Sequence, residues 1–346
     1  MKKTGKNLAE FKKEFSPDAD VVHLRKRVAD LEARIADEKD SRGELMESLH
    51  GLDVAVASSV PPKLIYTPST KTGSPITHVL HLTDWHYGSI IKKDEVDGFG
   101  EFSPQIAQDR VMDLANRIIR FTDVIRHGYA IPKLHIIATA DMISGGIHQE
   151  LLVTNAFPEP VQSVECGYLF GAMLELFAPH FPEIVVDFVT LDNHGRLTKK
   201  PQAAEGGLNN WCYVVAEIGK HYVSKLGNIV FNVHAKPSAL IKEGPEQYLA
   251  FHGHQIKGWG GIPYYGLDRR VAMEAVKRMG LPEVAFTKLV SGHLHHAMNG
   301  MTWNLGGSLS GTDAFDHSCG RHAPPHQTSW LVHPEHGEFA FNRWWL

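Results

Sequence analysis

The chain has 346 residues, 43% of them hydrophobic and 21% charged, and a formal net charge of -4 with histidine neutral. That balance is ordinarily globular and fits one large or two ordinary domains; it excludes a bulk basic signal for nucleic acid but not a local basic groove. Three widely spaced cysteines, Cys166, Cys212 and Cys319, exclude a disulfide framework and a zinc ribbon.

In chain order, the start MKKTGKNLAEFKKEF is charged and no apolar run follows it. The expectation is a cytoplasmic protein with no signal peptide and no membrane partner. Residues 1–51 read as a basic tail and an amphipathic helix. Val21, Leu24, Val28, Leu31 and Ile35 are spaced four and three apart, Glu38 and Arg42 interrupt the stripe, and Leu45 and Leu49 resume it. Two readings stand: a short coiled coil joining two or more chains into a homo-oligomer, or a helix lying on its own domain. Residues 52–75 carry Pro61, Pro62, Pro68, Gly73 and Pro75 and read as a linker. Residues 76–346 then alternate strand and helix patterns. Strands are predicted at 77–83, 133–140, 183–191, 228–233, 247–253 and 286–292. Helices are predicted after Ser103-Pro104 and at 161–178, 204–224 and 267–279, with hairpins toward the C-terminus. Alternation of this kind implies a layered α/β domain.

The residues that follow the strands carry the chemistry. LTDWHYGS provides Asp84 and His86, ATADMISGG provides Asp141, TLDNHGR provides Asn193 and His194, AFHGHQ provides His252 and His254, and SGHLHH provides His293, His295 and His296. Ligands of open α/β sheets bind at the carboxyl ends of strands, so these groups are expected to converge. Asp-x-His on an extended chain points both side chains to one face, and His293 and His295 repeat the device. Carboxylate, amide oxygen and imidazole together suit Mn²⁺, Fe, Zn²⁺ or Ni²⁺ better than a pure Mg²⁺ or Ca²⁺ cage. Two such ions activate a hydroxide and stabilise charge on a phosphoryl group.

The ordered series D-x-H, D, N-H, H-G and G-H-x-H resembles the calcineurin-like metallophosphoesterase superfamily across residues 84 to 295. The D-W-H, N-H-G-R and G-S-x-x-G-x-D segments resemble its phage or prophage members, described as related to DNA repair exonucleases. The resemblance implies a four-layer α-β-β-α sandwich carrying the N-terminal helical extension, and two divalent ions, manganese first, with iron, zinc, nickel or magnesium as alternatives. It implies that Asp84, His86, Asp141 and His295 hold the first ion. Asp141, Asn193, His252 and His293 then hold the second, and His194 is the catalytic histidine. The chain departs from the family pattern in having Ala140 and Asp192 where glycines are usual and Gly195 where an acid follows the catalytic histidine.

Arg196, Lys199, His254, Tyr264 and Tyr265 are candidate substrate contacts, through phosphate pairing and base stacking. His81 and His135 read as core residues, Trp85 as packing, and the late histidines as surface, with His322 or His326 alternatively bordering the active site. The leading expectation is a phosphodiesterase or nuclease acting on DNA or RNA. The alternatives are a phosphatase or nucleotide phosphodiesterase with a small substrate, and a non-catalytic assembly subunit.

Overall fold

The structure, a computed structural model, describes residues 17–58, 73–147, 151–198, 200, 206–256 and 261–346. The basic tail at 1–16 and most of the linker stretch lie outside these residues. The chain divides between Ser69 and Thr70 into two compact units. Among its described residues the first contains one helix, α1 (Pro17–Ser58). It runs seven residues past position 51, into the stretch whose composition reads as linker, where residues 52–58 include no proline to interrupt it.

The second unit contains, in order, β1 (Pro75–Leu82), α2 (Pro104–Ile125), β2 (Ala130–Ala138), α3 (Leu151–Thr154), α4 (Glu159–Phe177), β3 (Glu183–Val189), α5 (Trp211–Tyr222) and β4 (Ile229–His234). There follow β5 (Ala239–Glu243), β6 (Glu246–Ala250), α6 (Tyr264–Lys277), β7 (Lys288–Ser291), β8 (Met298–Asn299), β9 (Trp303–Leu305), α7 (Ala314–Ser318), β10 (His326–His333) and β11 (Gly337–Trp345). α3, β5 and α7 have no counterpart among the predicted elements; each is only four or five residues long, too short for periodicity to register.

Two sheets result. The six-stranded sheet has the order β11-β10-β1-β2-β3-β4, and the five-stranded sheet β5-β6-β7-β9-β8. β1 to β4 are mutually parallel, so their carboxyl ends share one edge. β6 and β7 are likewise parallel. Alternate residues of each strand face opposite ways. Leu80, Ile136 and Val186 meet Val111, Leu114, Phe170 and Val215 of the helices, while Val79, Ile137, Val189 and Trp330 meet Ile241, Tyr248 and Val290 of the second sheet. Leu267 of α6 packs on Leu249, Phe251 and Leu289. Ser103 caps α2 by accepting from the Ile106 amide, and Pro104 occupies the first turn, as the sequence predicts.

The histidines inside this core are partnered. His78 bonds Thr122 and Ser329, and His81 bonds Thr139; burial holds both imidazoles down at about 3, so they act as neutral core residues. His135 joins the sheets. Its Nε2 lies 2.7 Å from Asp187 on β3 and its Nδ1 2.7 Å from Glu243 on β5. Asp187 also holds His234 at 2.6 Å, and Glu243 also holds Thr77 and Lys133.

Burial opposes charge on His135, but Asp187 and Glu243 outweigh it and raise its pKa above 6.5. The same contacts overcome burial of the two carboxyls and depress them below 3.8 and 4.5. The histidine's contribution is therefore complete below pH 6.5 and is lost as pH rises through its raised value. The carboxylates' contributions are present above their ordinary range and are lost as pH falls through their depressed values. All three coincide between pH 4.5 and 6.5. His135→Leu removes the shared partner of two carboxylates that keep His234 and Lys133, and is expected to cost about 1–3 kcal/mol in that window. In urea unfolding the gap to the parent narrows toward pH 9, and a gap that widened with pH would refute the paired state.

Candidate metal centre

Five strand-end turns meet at one place. β1 leads into Asp84 and His86, β2 into Asp141, β3 into Asn193 and His194, β6 into His252, and β7 into His293 and His295. The side chains gather as Asp84, His86 and His295; as His86, Asp141 and His194; and as Asp141, His252 and His293, with ligand atoms within 4.8 Å inside each group. Asn193 joins through Oδ1, 3.0 Å from Nε2 of His252. All seven predicted metal ligands and His194 are thus brought together, in two sets linked through His86 and Asp141.

The predicted geometry of the Asp-x-His pairs is corrected. Asp84, His86, Asp141, His293 and His295 are not extended; their φ angles are 51°, 46°, 48°, 70° and 55°. Left-handed backbone at a non-glycine residue costs of order 1–3 kcal/mol. Hydrogen bonds between turns hold it: Asp84 and His86 donate their amides to the Ala140 and Asp141 carbonyls, both at 3.1 Å. Ala140 itself has φ 65°, which accounts for the glycine usual at that position in the resembling family. At the other pair, the His293 amide donates to Asp84 Oδ2 at 2.9 Å. A Cβ on Gly292 would lie 2.0 Å from Thr83 Oγ1 and 2.3 Å from Asp84 Oδ2, so only glycine allows this approach.

The donor set fits cations. Nδ1 of His252 lies 2.9 Å from the Thr139 carbonyl oxygen, which can only accept, so Nδ1 carries a proton. Nε2 of the neutral ring then presents its lone pair to two further acceptors, Asp141 Oδ2 at 2.9 Å and Asn193 Oδ1 at 3.0 Å. Asp141 Oδ2 is buried and receives no aligned hydrogen bond despite that proximity. In the other set, Nε2 of His86 and Nε2 of His295 face one another at 3.1 Å, while Nδ1 of His295 is held by Asp316. Electron pairs converging on electron pairs in a buried place require a cation or protons. The charges respond accordingly. Burial opposes charge on His252, yet Asp141 raises it to about 9; Asp316 and Asp84 likewise outweigh burial and raise His295. Burial, then neighbouring imidazoles, lowers His86 and His293.

Three further residues support the cluster; two of them, Asp316 and Ser144, carry no predicted role, while Asp192 reads from the sequence as orienting His194 or facing solvent. Asp316, in α7, orients His295 and is itself paired with Arg321 at 2.7 Å; a carboxylate behind a ligating histidine fixes its tautomer. The acid lies in GTDAFDHS, but no spacing in that segment signals its use. Ser144 accepts from Nδ1 of His194 through its carbonyl at 2.7 Å, a backbone contact that side-chain identities do not reveal. Asp192, at the usual glycine position, is buried and accepts from the amides of Asp141 and Gly195 and from Asn210. It thus holds the Asn193-His194 turn against Asp141, and burial, then Asp141, raises its pKa.

The predicted substrate contacts are more scattered. His254 borders the cluster, its ring centroid 5.6 Å from that of His252, and burial lowers it to about 4. Arg196 donates to the carbonyls of Thr198 and Asn193, which turns its guanidinium toward its own loop. Tyr264 and Tyr265 stand exposed on the first turn of α6. Lys199 lies outside the described residues. His326, predicted to be at the surface, is buried and accepts from the Ala297 amide at 3.0 Å; it begins β10 and so follows the strand, not the loop before it.

No protein-family model matches the sequence, and none of the curated proteins does. Among solved structures, the chain is similar to the Thermus thermophilus sulfate thiohydrolase SoxB in complex with glycerol, with 8% identity and a TM-score of 0.31 over 83% of this chain. It spans 57% of the SoxB chain. It is also similar to Vps29 of Chaetomium thermophilum, with 10% identity and a TM-score of 0.28, covering 77% of this chain and 95% of that one. Likenesses this slight carry no conclusion about activity.

If Asp316 orients His295 toward a metal, Asp316→Asn should weaken Mn²⁺ binding by about 10- to 100-fold while leaving the folded chain intact. Titration calorimetry on chelator-stripped protein measures this, and an unchanged affinity would remove Asp316 from the centre's support.

Proposed function

We propose that the chain is a dinuclear-metal-dependent phosphoesterase of the calcineurin-like kind, and a phosphodiesterase acting on DNA or RNA. The observation that carries the reading is the convergence of lone-pair donors from Asp84, His86, Asp141, Asn193, His252, His293 and His295, with His194 alongside. The four-layer arrangement belongs to the same reading, supported by helices packed on the outward face of each sheet and an apolar seam between them.

Divalent ions held by these residues would supply an activated hydroxide and polarise a phosphoryl oxygen. The remaining work falls to the chain. His194 stands with its ring centroid 4.6 Å from that of His86, and Nδ1 anchored on the Ser144 carbonyl. Anchored through one nitrogen, an imidazolium presents the other to a leaving-group oxygen and transfers its proton as the phosphorus–oxygen bond breaks. A nucleic acid strand is favoured over a small monoester because exposed Tyr264 and Tyr265 offer ring faces for stacking.

The test is hydrolysis of bis-p-nitrophenyl phosphate, p-nitrophenyl phosphate and a labelled single-stranded oligonucleotide with Mn²⁺. Diester and oligonucleotide cleavage is expected; cleavage of the monoester alone would replace the nuclease with a phosphatase. His194→Ala is expected to keep its metal and lose about 10²- to 10⁴-fold in kcat, whereas Asp141→Ala loses metal. Parental turnover by His194→Ala would end its assignment as the proton donor.

A further inference from the structure

Helix α1 has an exposed apolar seam whose chemistry specifies its partner. Over residues 21–52, one heptad register holds throughout. Val21, Val28, Ile35, Arg42 and Leu49 occupy the first core position of successive heptads, and Leu24, Leu31, Glu38, Leu45 and Leu52 the second. Every apolar member of this set is exposed, from 44% at Val21 to 60% at Leu24. We propose that α1 pairs, parallel and in register, with α1 of a second copy of this chain, forming a two-stranded coiled coil. The proposal is independent of the functional reading.

Four observations select that occupant. First, a strict seven-residue repeat drifts about 20° per heptad on a straight helix, so this seam turns by roughly 90° along its length. A flat protein surface cannot follow such a seam, but a supercoiling helix of the same repeat can. Second, β-branched Val21, Val28 and Ile35 at the first core position, with Leu24, Leu31, Leu45 and Leu52 at the second, is the combination that favours two parallel strands.

Third, the two charged core positions lie in adjacent layers. In a parallel pair Glu38 faces Glu38 and Arg42 faces Arg42, and these like-charge layers are offset because each Glu38 also lies one layer from Arg42 of the other chain. A heptad slip would set each against apolar layers and leave buried charges unpaired, so the polar layers fix the register. The flanks agree in part: Arg27 meets Glu32 of the second copy, while Arg34 meets Lys39, an exposed repulsion that solvent screens. Fourth, Gly43 and Gly51 fall off the seam, where they permit close packing no hindrance yet weaken an isolated helix. Such a helix draws its stability from an apolar face that is covered.

An antiparallel pair centred near residue 40 would also oppose Glu38 to Arg42, so orientation needs its own test. Light scattering on the full chain under reducing conditions should give the mass of two chains across micromolar concentrations. Leu31→Glu with Ile35→Glu should halve that mass and leave Mn²⁺ binding at the metal centre unchanged. Leu24→Cys in a Cys319→Ser background removes the exposed native thiol and should yield a disulfide-linked dimer on oxidation, because position 24 meets its own copy only in the parallel register. A monomeric or trimeric parent, a dimer that survives the double substitution, or a dimer that fails to cross-link through position 24 would each overturn the proposal.

Discussion

The hydrogen bond from Nδ1 of His252 to the carbonyl of Thr139, 2.9 Å long, decides the character of the strand-end cluster. It commits the ring's proton to the far side and turns a lone pair toward Asp141 and Asn193. His295 is treated the same way by Asp316. Each set therefore contains an imidazole whose orientation is imposed from behind and whose inward nitrogen is offered to the cluster. At His252 that nitrogen has only the acceptors Asp141 and Asn193 in front of it, so a cation or a proton is required between them. The left-handed turns at Asp84, His86, Asp141, His293 and His295 are the geometric counterpart, since an extended chain leaving the sheet would carry these side chains past one another.

Strain at the strand ends is sustained by order beneath them. β2 illustrates the coupling. His135, within the strand, ties the two sheets through Asp187 and Glu243. Four residues on, Thr139 provides the carbonyl that orients His252 and a hydroxyl that partners His81. Between them Ile137 packs into the inter-sheet seam beside Tyr248 and Trp330, whose polar atoms bond each other at 2.9 Å. One strand thus joins an ionic clamp, an apolar seam and the back of the metal centre. Their energies need not add, because all three depend on one register between the sheets.

The cluster was legible in the sequence because each ligand directly follows an apolar run, and parallel strands bring such positions to one edge whatever the turns between them do. The turn conformations were not legible, since Ala140 ordinarily avoids positive φ, and aspartate and histidine, though they visit it more often, do so too rarely for residue type alone to signal it at Asp141 or His295. Residues acting through neighbours were harder still. Asp316 lies in a five-residue helix with no periodic signature, and Ser144 acts through a carbonyl that any residue could supply. His326 shows the opposite error, in which a run of histidines and prolines reads as loop although a strand buried along all but its last residue begins within it.

The departures from the resembling family's pattern have a common physical logic. With Gly195 after His194, no carboxylate follows the histidine to hold its ring, and the Ser144 carbonyl does so instead. That contact requires the 143–146 and 193–195 turns to approach closely. Gly145 has φ 68°, and a Cβ there would lie 2.0 Å from the His194 carbonyl oxygen. Asp192 draws the same two turns together from the other side by accepting from the amides of Asp141 and Gly195. The carboxylate has thus moved from the side chain that would touch the imidazole to the backbone that positions it. A neutral carbonyl fixes the ring's orientation as well as a carboxylate does, and the negative charge in the cluster that contains His194 comes from Asp141.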